Sequence, residues 1–204
     1  MGELLIFMEK KVKPKGLNPR AVPTHLEKYL FQADYQHLSA LTLPTLTLPS
    51  QPVILYPACG VDIMYLLLFI QKILPSPSLI SLMLNDLDHT LGIIKTILDD
   101  IGISFAETKK GITFYWHNLL VQADFYPGNI FSLLPELPSF DLYFERAFRI
   151  MKEEDPHYES KVFQKLNHQG ILISDSGYQD QPLTRISVPA ELSSYGEMIV
   201  GIKL

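Results

Sequence analysis

Gly60 and Asp86 are the residues of this chain whose types and settings best suit chemistry. Gly60 lies in VILYPACGVDIMYLLLFIQKIL, residues 53–74, where a short apolar strand passes through a tight turn into a long apolar helix. Such a turn sets backbone amides and a helix N-terminus at a strand's end, a ready seat for part of a nucleotide-like ligand. Asp86 closes a second apolar strand, LISLMLND, where a carboxylate can take the two hydroxyls of a ribose. Its alternative is to cap the helix that starts near Thr90. Together the two residues point to a nucleoside-containing molecule on an α/β sheet and leave the substrate unnamed.

Alternating strands and helices must position them. From Pro52 the pattern predicts strands over 53–56, 79–84, 140–144 and 171–174, and helices over 62–74, 90–101 and 158–166. Pro75 and Pro77 stop the first of these helices. Gly102 supplies the left-handed residue expected after the second. Segments 103–106 and 112–116 flank Lys109, Lys110 and Gly111 as a hairpin, and 119–123 is a further strand or a continuation of the previous one. Residues 197–204 form a last strand, which 184–188 can join antiparallel. Alternation of this kind implies right-handed crossovers and a mostly parallel sheet. The strands are almost continuously apolar, as suits a sheet covered on both faces.

The first 51 residues read as an N-terminal helical cap and a Pro-rich connector. Residues 24–41 carry apolar side chains at roughly helical spacing, with Thr24 and Glu27 as a capping box. Pro44, Pro49 and Pro52 then mark the connector. Lys10, Lys11, Lys13, Lys15 and Arg20 form a basic arm, read as solvated in preference to steering anions.

The chain has 204 residues, of which 47% are hydrophobic and 19% charged, enough apolar material for one sizeable core. A net charge of −5 argues against a dedicated nucleic-acid binder. Cys59 is the single cysteine, so no disulfide forms within the chain, and it reads as a small buried residue in preference to a nucleophile. The start lacks a convincing secretory signal, and the longest apolar run, 63–70, falls far short of the ~20 residues that span a bilayer. A cytoplasmic protein without membrane attachment is expected. No metal is expected either: Glu153, Glu154, Asp155 and His157 match no trusted ligand spacing.

On these segments the chain resembles the class I S-adenosylmethionine-dependent methyltransferases over about residues 52–178. ILYPACGVD (54–62) lies where that family has its glycine-rich first motif, and MLNDLD (83–88) at its second acidic strand end. LVQADFY (120–126) resembles the segment that meets the adenine amino group. FDLYFERAF (140–148) and HQGILISDSGY (168–178) resemble the fourth- and fifth-strand motifs. The resemblance implies a three-layer Rossmann-like domain over 52–204, with a mostly parallel sheet and an antiparallel C-terminal strand. It also implies S-adenosylmethionine as cofactor, met by Tyr56, Ala58, Gly60, Asp62, Asp86 and Asp124.

The first motif is degenerate. Tyr56 stands where the family has an acidic residue, Ala58 replaces the first glycine, and Asp62 occupies the third glycine position. Ala58 fits the turn without strain only at negative φ. Asp62 either caps the following helix or faces the cofactor, where an anion suits a sulfonium and an ammonium. Asp124 is either the adenine contact or a loop carboxylate. The resemblance places the end of the fourth strand against the methyl group. Glu145 is there the candidate base or acceptor-orienting group, and Arg146 the candidate holder of an acidic substrate group; the alternative is a surface pair. Asp175 and Tyr178, after the fifth strand, are candidates to line the acceptor pocket.

The expected activity is methyl transfer to an unidentified acceptor, a small molecule in preference to a protein. The alternative is a non-catalytic relative that binds the nucleoside cofactor or a partner in a regulatory role. Asp62 and Ile63, at positions where a nicotinamide dinucleotide needs bare glycine, argue against that cofactor. ERAF, where the family's base-methylating members carry Asn-Pro-Pro-Tyr, argues against DNA base methylation.

Overall fold

The carboxyl ends of β1 (Val53–Tyr56) and β6 (Phe140–Phe144) meet at the centre of a nine-stranded sheet, and the fold is organised around that meeting. A computed structural model describes residues 8–40, 46–74, 78–188 and 198–204. Pro44, Pro75, Pro77 and Glu197, to which the sequence reading gave roles, lie outside the described residues.

The other strands are β2 (Leu79–Asp86), β3 (Phe105–Glu107), β4 (Gly111–Trp116), β5 (Leu119–Pro127), β7 (Leu166–Ser174), β8 (Leu183–Ile186) and β9 (Ile199–Lys203). Their spatial order is β3-β4-β5-β2-β1-β6-β7-β9-β8. β5, β2, β1, β6 and β7 run parallel, and β9 lies antiparallel between β7 and β8. The expected hairpin forms as β3 and β4, and β5 is a separate antiparallel neighbour of β4. β2 ends at Asp86, the residue expected to close it, and β5 reaches Pro127, beyond its expected end at 123, because the two strands pair continuously from Leu79–Leu120 to Asp86–Pro127.

The helices are α1 (Gln32–Ala40), α2 (Ile63–Ile73), α3 (Leu91–Asp100), α4 (Ile130–Leu133), α5 (Arg149–Lys152) and α6 (Tyr158–Lys165). Eight of the eleven residues of α2 are buried, so this helix is apolar nearly all round, as an interior helix must be. β1 faces two cores. Ile54 and Tyr56 pack in the cluster that holds α2 and α3, whereas Leu55 packs in the one that holds Tyr158 and Val162 of α6. This alternation makes three layers from a strand that reads as uniformly apolar. Gly102 is left-handed, φ 82°, and ends α3 as expected.

The helix expected over 24–41 is a 3₁₀ turn, Leu26–Lys28, followed by α1. Thr24 forms no capping box; its backbone N–H instead donates to the Ile101 carbonyl, 2.9 Å away. The basic arm is docked in part. Lys10 Nζ sits 2.6 Å from Asp100 Oδ1, Lys15 pairs with Asp99, and the Lys15 and Gly16 amides donate to the Phe105 carbonyl. Exposed pairs of this kind add little stability each. Among the described residues no helix is long and apolar enough to cross a membrane.

Gly111 lies opposite Asp124 in the β4–β5 ladder, and a Cβ there would run into the Ala123 carbonyl. Gly111→Ala is expected to cost about 2 kcal/mol through overpacking, read as a lower urea midpoint at unchanged m-value. A variant as stable as the parent would show that the ladder yields at this point.

Candidate functional site

The sequence order that runs outward from β1 changes direction between β1 and β6, and open α/β sheets hold their ligands outside the strand ends at such a point. Four loops converge here, after β1, β2, β5 and β6.

Backbone and side-chain hydrogen bonds tie the first three together. The Gly60 amide donates to Asp86 Oδ2 at 2.7 Å, and the Asp88 amide to Asp86 Oδ1 at 3.1 Å. Cys59 N–H donates to the Asn85 carbonyl at 2.9 Å. The buried Asn85 amide group donates to the carbonyls of Tyr126 and Gly128, at 2.7 and 2.8 Å. Asn129 caps α4 by accepting from the Phe131 amide. Asp86 pins the Gly60 turn to the end of β2 and does not cap α3, whose N-cap position is Thr90. An ionised carboxylate has about four acceptor sites, so two remain for hydroxyl donors.

Beside this cradle is a slot of about 190 Å³, walled by Ala58, Leu87, Ile130, Phe148 and Met151, with Asp86 at its edge. Its lining is mainly apolar. It is smaller than the roughly 300–1,000 Å³ of sites that enclose a whole drug-sized ligand. Ala58 adopts φ 45°, so the turn keeps its glycine-like shape with alanine in it, contrary to the expected negative φ. A left-handed non-glycine residue costs about 1–2 kcal/mol. Asp124 lies mid-strand, opposite Met83 and Gly111, and is not among the slot residues. The extra length of β5 moves its end to Pro127, so that Gly128 and Asn129, which follow it, line the slot.

The side of the turn toward β6 is filled. Arg146 lies with Nη2 2.5 Å from Asp34 Oδ2 and Nη1 3.2 Å from Asp62 Oδ2, its guanidinium carbon 3.9 Å from the centre of the Tyr65 ring. Asp62 precedes α2 but makes no capping bond to it. Tyr56 is buried edge-on against Phe144, its hydroxyl 3.4 Å from Asp62 Oδ2. Burial pushes the Asp62 carboxyl up to about 6, against the pull of Arg146. Arg146 thus faces an internal acid pair rather than solvent. Asp34, on α1, was not anticipated, since nothing local signals a contact across 112 positions.

Glu145 is fully buried and serves as an acceptor for its neighbours. It takes hydrogen bonds from Lys152 Nζ and Tyr143 Oη at 2.5 Å each, from Ser174 Oγ at 2.5 Å and from Tyr178 Oη at 3.4 Å. Lys152 also reaches Glu159 and the Ser176 carbonyl. Burial raises the Glu145 carboxyl above its usual range, while Lys152 pulls it back. The side chain expected to face an acceptor instead ties β6 and β7 to α5 and α6. Asp175 accepts the Ala147 amide at 2.5 Å, and Tyr178 is wholly buried. Cys59 is buried, which lifts its thiol to about 12 and leaves it unreactive. Among the described residues no group of three or more His, Cys, Asp or Glu side chains could hold a metal ion.

No protein-family model matches the sequence, and no curated protein matches it. Several solved structures are similar to it at low sequence identity. A methyltransferase from Geobacter sulfurreducens is 14% identical, with TM-score 0.48 over 76% of this chain and 72% of that one. A TehB-like S-adenosylmethionine-dependent methyltransferase from Corynebacterium glutamicum is 13% identical, with TM-score 0.42 over 85% and 87%. Precorrin-6y C5,15-methyltransferase from Geobacter metallireducens is 13% identical, with TM-score 0.42 over 86% and 89%. By its own strand order and layers the chain has a Rossmann-like α/β fold.

Two outcomes follow from the buried charges. Aspartates of an unfolded chain titrate near 4, so between about 4 and 6 the folded protein holds the Asp62 proton that the unfolded chain releases. That contribution to stability is present at low pH and lost as pH rises through the window. The stability of the parent relative to Asp62→Asn is therefore expected to fall between pH 4 and 7 in denaturant titrations; a flat or rising difference would refute it. Lys152→Met leaves Glu145 buried and unpaired and is expected to cost about 3–5 kcal/mol. Adding Glu145→Gln should recover part of that loss, measured by the same titrations.

Proposed function

We propose that this chain binds the adenosine part of an S-adenosylmethionine-type cofactor, with the purine in the 190 Å³ slot and the ribose hydroxyls on Asp86. The observation that carries the reading is the position of Asp86. It joins the Gly60 turn to the end of β2 at the slot's edge and keeps acceptor sites for two hydroxyls. Apolar walls from Ala58, Ile130, Phe148 and Met151 suit a flat base, and an anion at the rim suits hydroxyl donors better than phosphate. S-adenosylmethionine supplies an electrophilic methyl group when bound. With that donor, the activity proposed is methyl transfer to an acceptor, here unidentified and a small molecule before a protein. The chain's contribution would be to seat the adenosine and hold the strand ends rigid.

A specific observation favours a second reading, a cofactor-binding protein without turnover. Glu145 is committed to Lys152, Tyr143 and Ser174, and Arg146 to Asp34 and Asp62, so neither is free to serve an acceptor in this conformation.

Titration calorimetry with S-adenosylmethionine and with adenosine tests the site. Asp86→Ala is expected to weaken both by at least tenfold while the protein stays folded by circular dichroism. Unchanged affinity in that variant would remove the assignment. Release of S-adenosylhomocysteine across an acceptor panel separates turnover from binding alone.

A further inference from the structure

An S-adenosylmethionine molecule is cationic at its sulfonium and its ammonium, and adenosine is not. In this chain the acid beside the Gly60 turn already holds a cation. Arg146 bridges Asp62 and Asp34 at 3.2 and 2.5 Å with its face on Tyr65, and its side chain is only 15% exposed. Asp34 comes from α1, so the N-terminal helix closes this end of the crevice, and Leu38 and the Lys72–Ser39 contact hold that helix in place. The slot at the other end, from Ala58 to Met151, contains neither member of the bridge and is of a size for a base with part of a sugar. The slot side of the turn has mainly apolar walls with the carboxylates of Asp86 and Glu154, and the other side is filled by the chain's own guanidinium.

Building on the adenosine reading above, we infer that Arg146 is a specificity-determining residue. It occupies the seat of the cofactor's cationic amino-acid end, so the resting chain selects nucleosides that lack that end over S-adenosylmethionine. The physical reason is competition for one carboxylate. A guanidinium held by two acids and an aromatic face is fixed in place before the ligand arrives, and an incoming ammonium has to displace it and reorder two long side chains. The attraction Asp62 would offer a bound cation is cancelled at short range by a like charge already there. Opening the bridge, by moving α1 or by removing Arg146, frees Asp62 and Asp34 to pair with an incoming cation.

The test is calorimetry with adenosine and S-adenosylmethionine on four proteins: the parent, Arg146→Ala, Asp34→Asn and the double variant Arg146→Ala/Asp62→Asn. The parent is expected to bind adenosine at least as tightly as S-adenosylmethionine. Arg146→Ala should tighten S-adenosylmethionine at least tenfold with adenosine changed less than threefold, and the gain should shrink in high salt. Asp34→Asn, which loosens the bridge while leaving a charged pair in place, should give a smaller gain in the same direction. The double variant should lose most of the gain, since Asp62, the acid beside the Gly60 turn, is neutralised and only Asp34 on α1 remains. A parent that prefers S-adenosylmethionine tenfold, or an Arg146→Ala protein in which both ligands shift alike, overturns the inference and leaves the adenosine site standing. Failure of every folded form to bind either ligand overturns the adenosine site and the inference with it. If Arg146→Ala does not fold, Asp34→Asn decides alone: no gain for S-adenosylmethionine over adenosine refutes the role of Arg146.

Discussion

The exchange of neighbours at β1 and β6 is the constraint from which the rest of this structure follows. β1 pairs with β2 on one side and β6 on the other, so the loops leaving β1 and β6 diverge to opposite faces of the sheet. A gap opens between them, lined by amides and carbonyls that the ladder no longer pairs. Such groups are costly to bury unsatisfied. This chain satisfies many of them from within. Asp86 takes the Gly60 amide, the Asn85 carbonyl takes that of Cys59, and Asp175 takes that of Ala147. The strand ends are therefore rigid before any ligand is considered.

That rigidity is set against local strain. Ala58, Ala147 and Tyr178 all adopt left-handed backbone, at φ 45°, 55° and 58°, on the loops after β1, β6 and β7. The surrounding contacts hold each in place. The Glu145–Lys152 system sits directly beneath the last two loops, and Glu159 holds the Tyr178 amide at 2.7 Å. The two consecutive residues at the end of β6 thus serve opposite ends of one architecture. Glu145 turns inward to bind β6 to β7 and α6, while Arg146 reaches across the crevice to α1 and the β1 turn.

Much of the sheet was legible from the chain. Apolar runs with glycine and proline punctuation placed most strands, although β7 starts at Leu166, five residues before the expected 171, and β5 reads equally as a continuation of β4; the hairpin at Lys109–Gly111 read correctly because its turn is local. The end of β5 was not legible, since it is set by pairing with β2. The break before α1 was likewise hidden: Thr24 satisfies its amide on Ile101, far away in sequence, so the local capping pattern lost to a tertiary contact. Within the site, Gly60 and Asp86 were identified as partners of a ligand, and the structure shows that they are first partners of each other.

The amino-acid order by itself determined which faces are apolar, where the chain must turn and which carboxylates stand at strand ends. Those properties depend on neighbours a few residues away, and short-range sterics and hydrophobic periodicity settle them. Tertiary structure alone decided what those carboxylates face. Asp62 meets Arg146, Arg146 meets Asp34, and Glu145 meets Lys152 only after the crossovers have brought distant loops together. A buried charge takes whichever partner the fold delivers, and no local pattern carries that information.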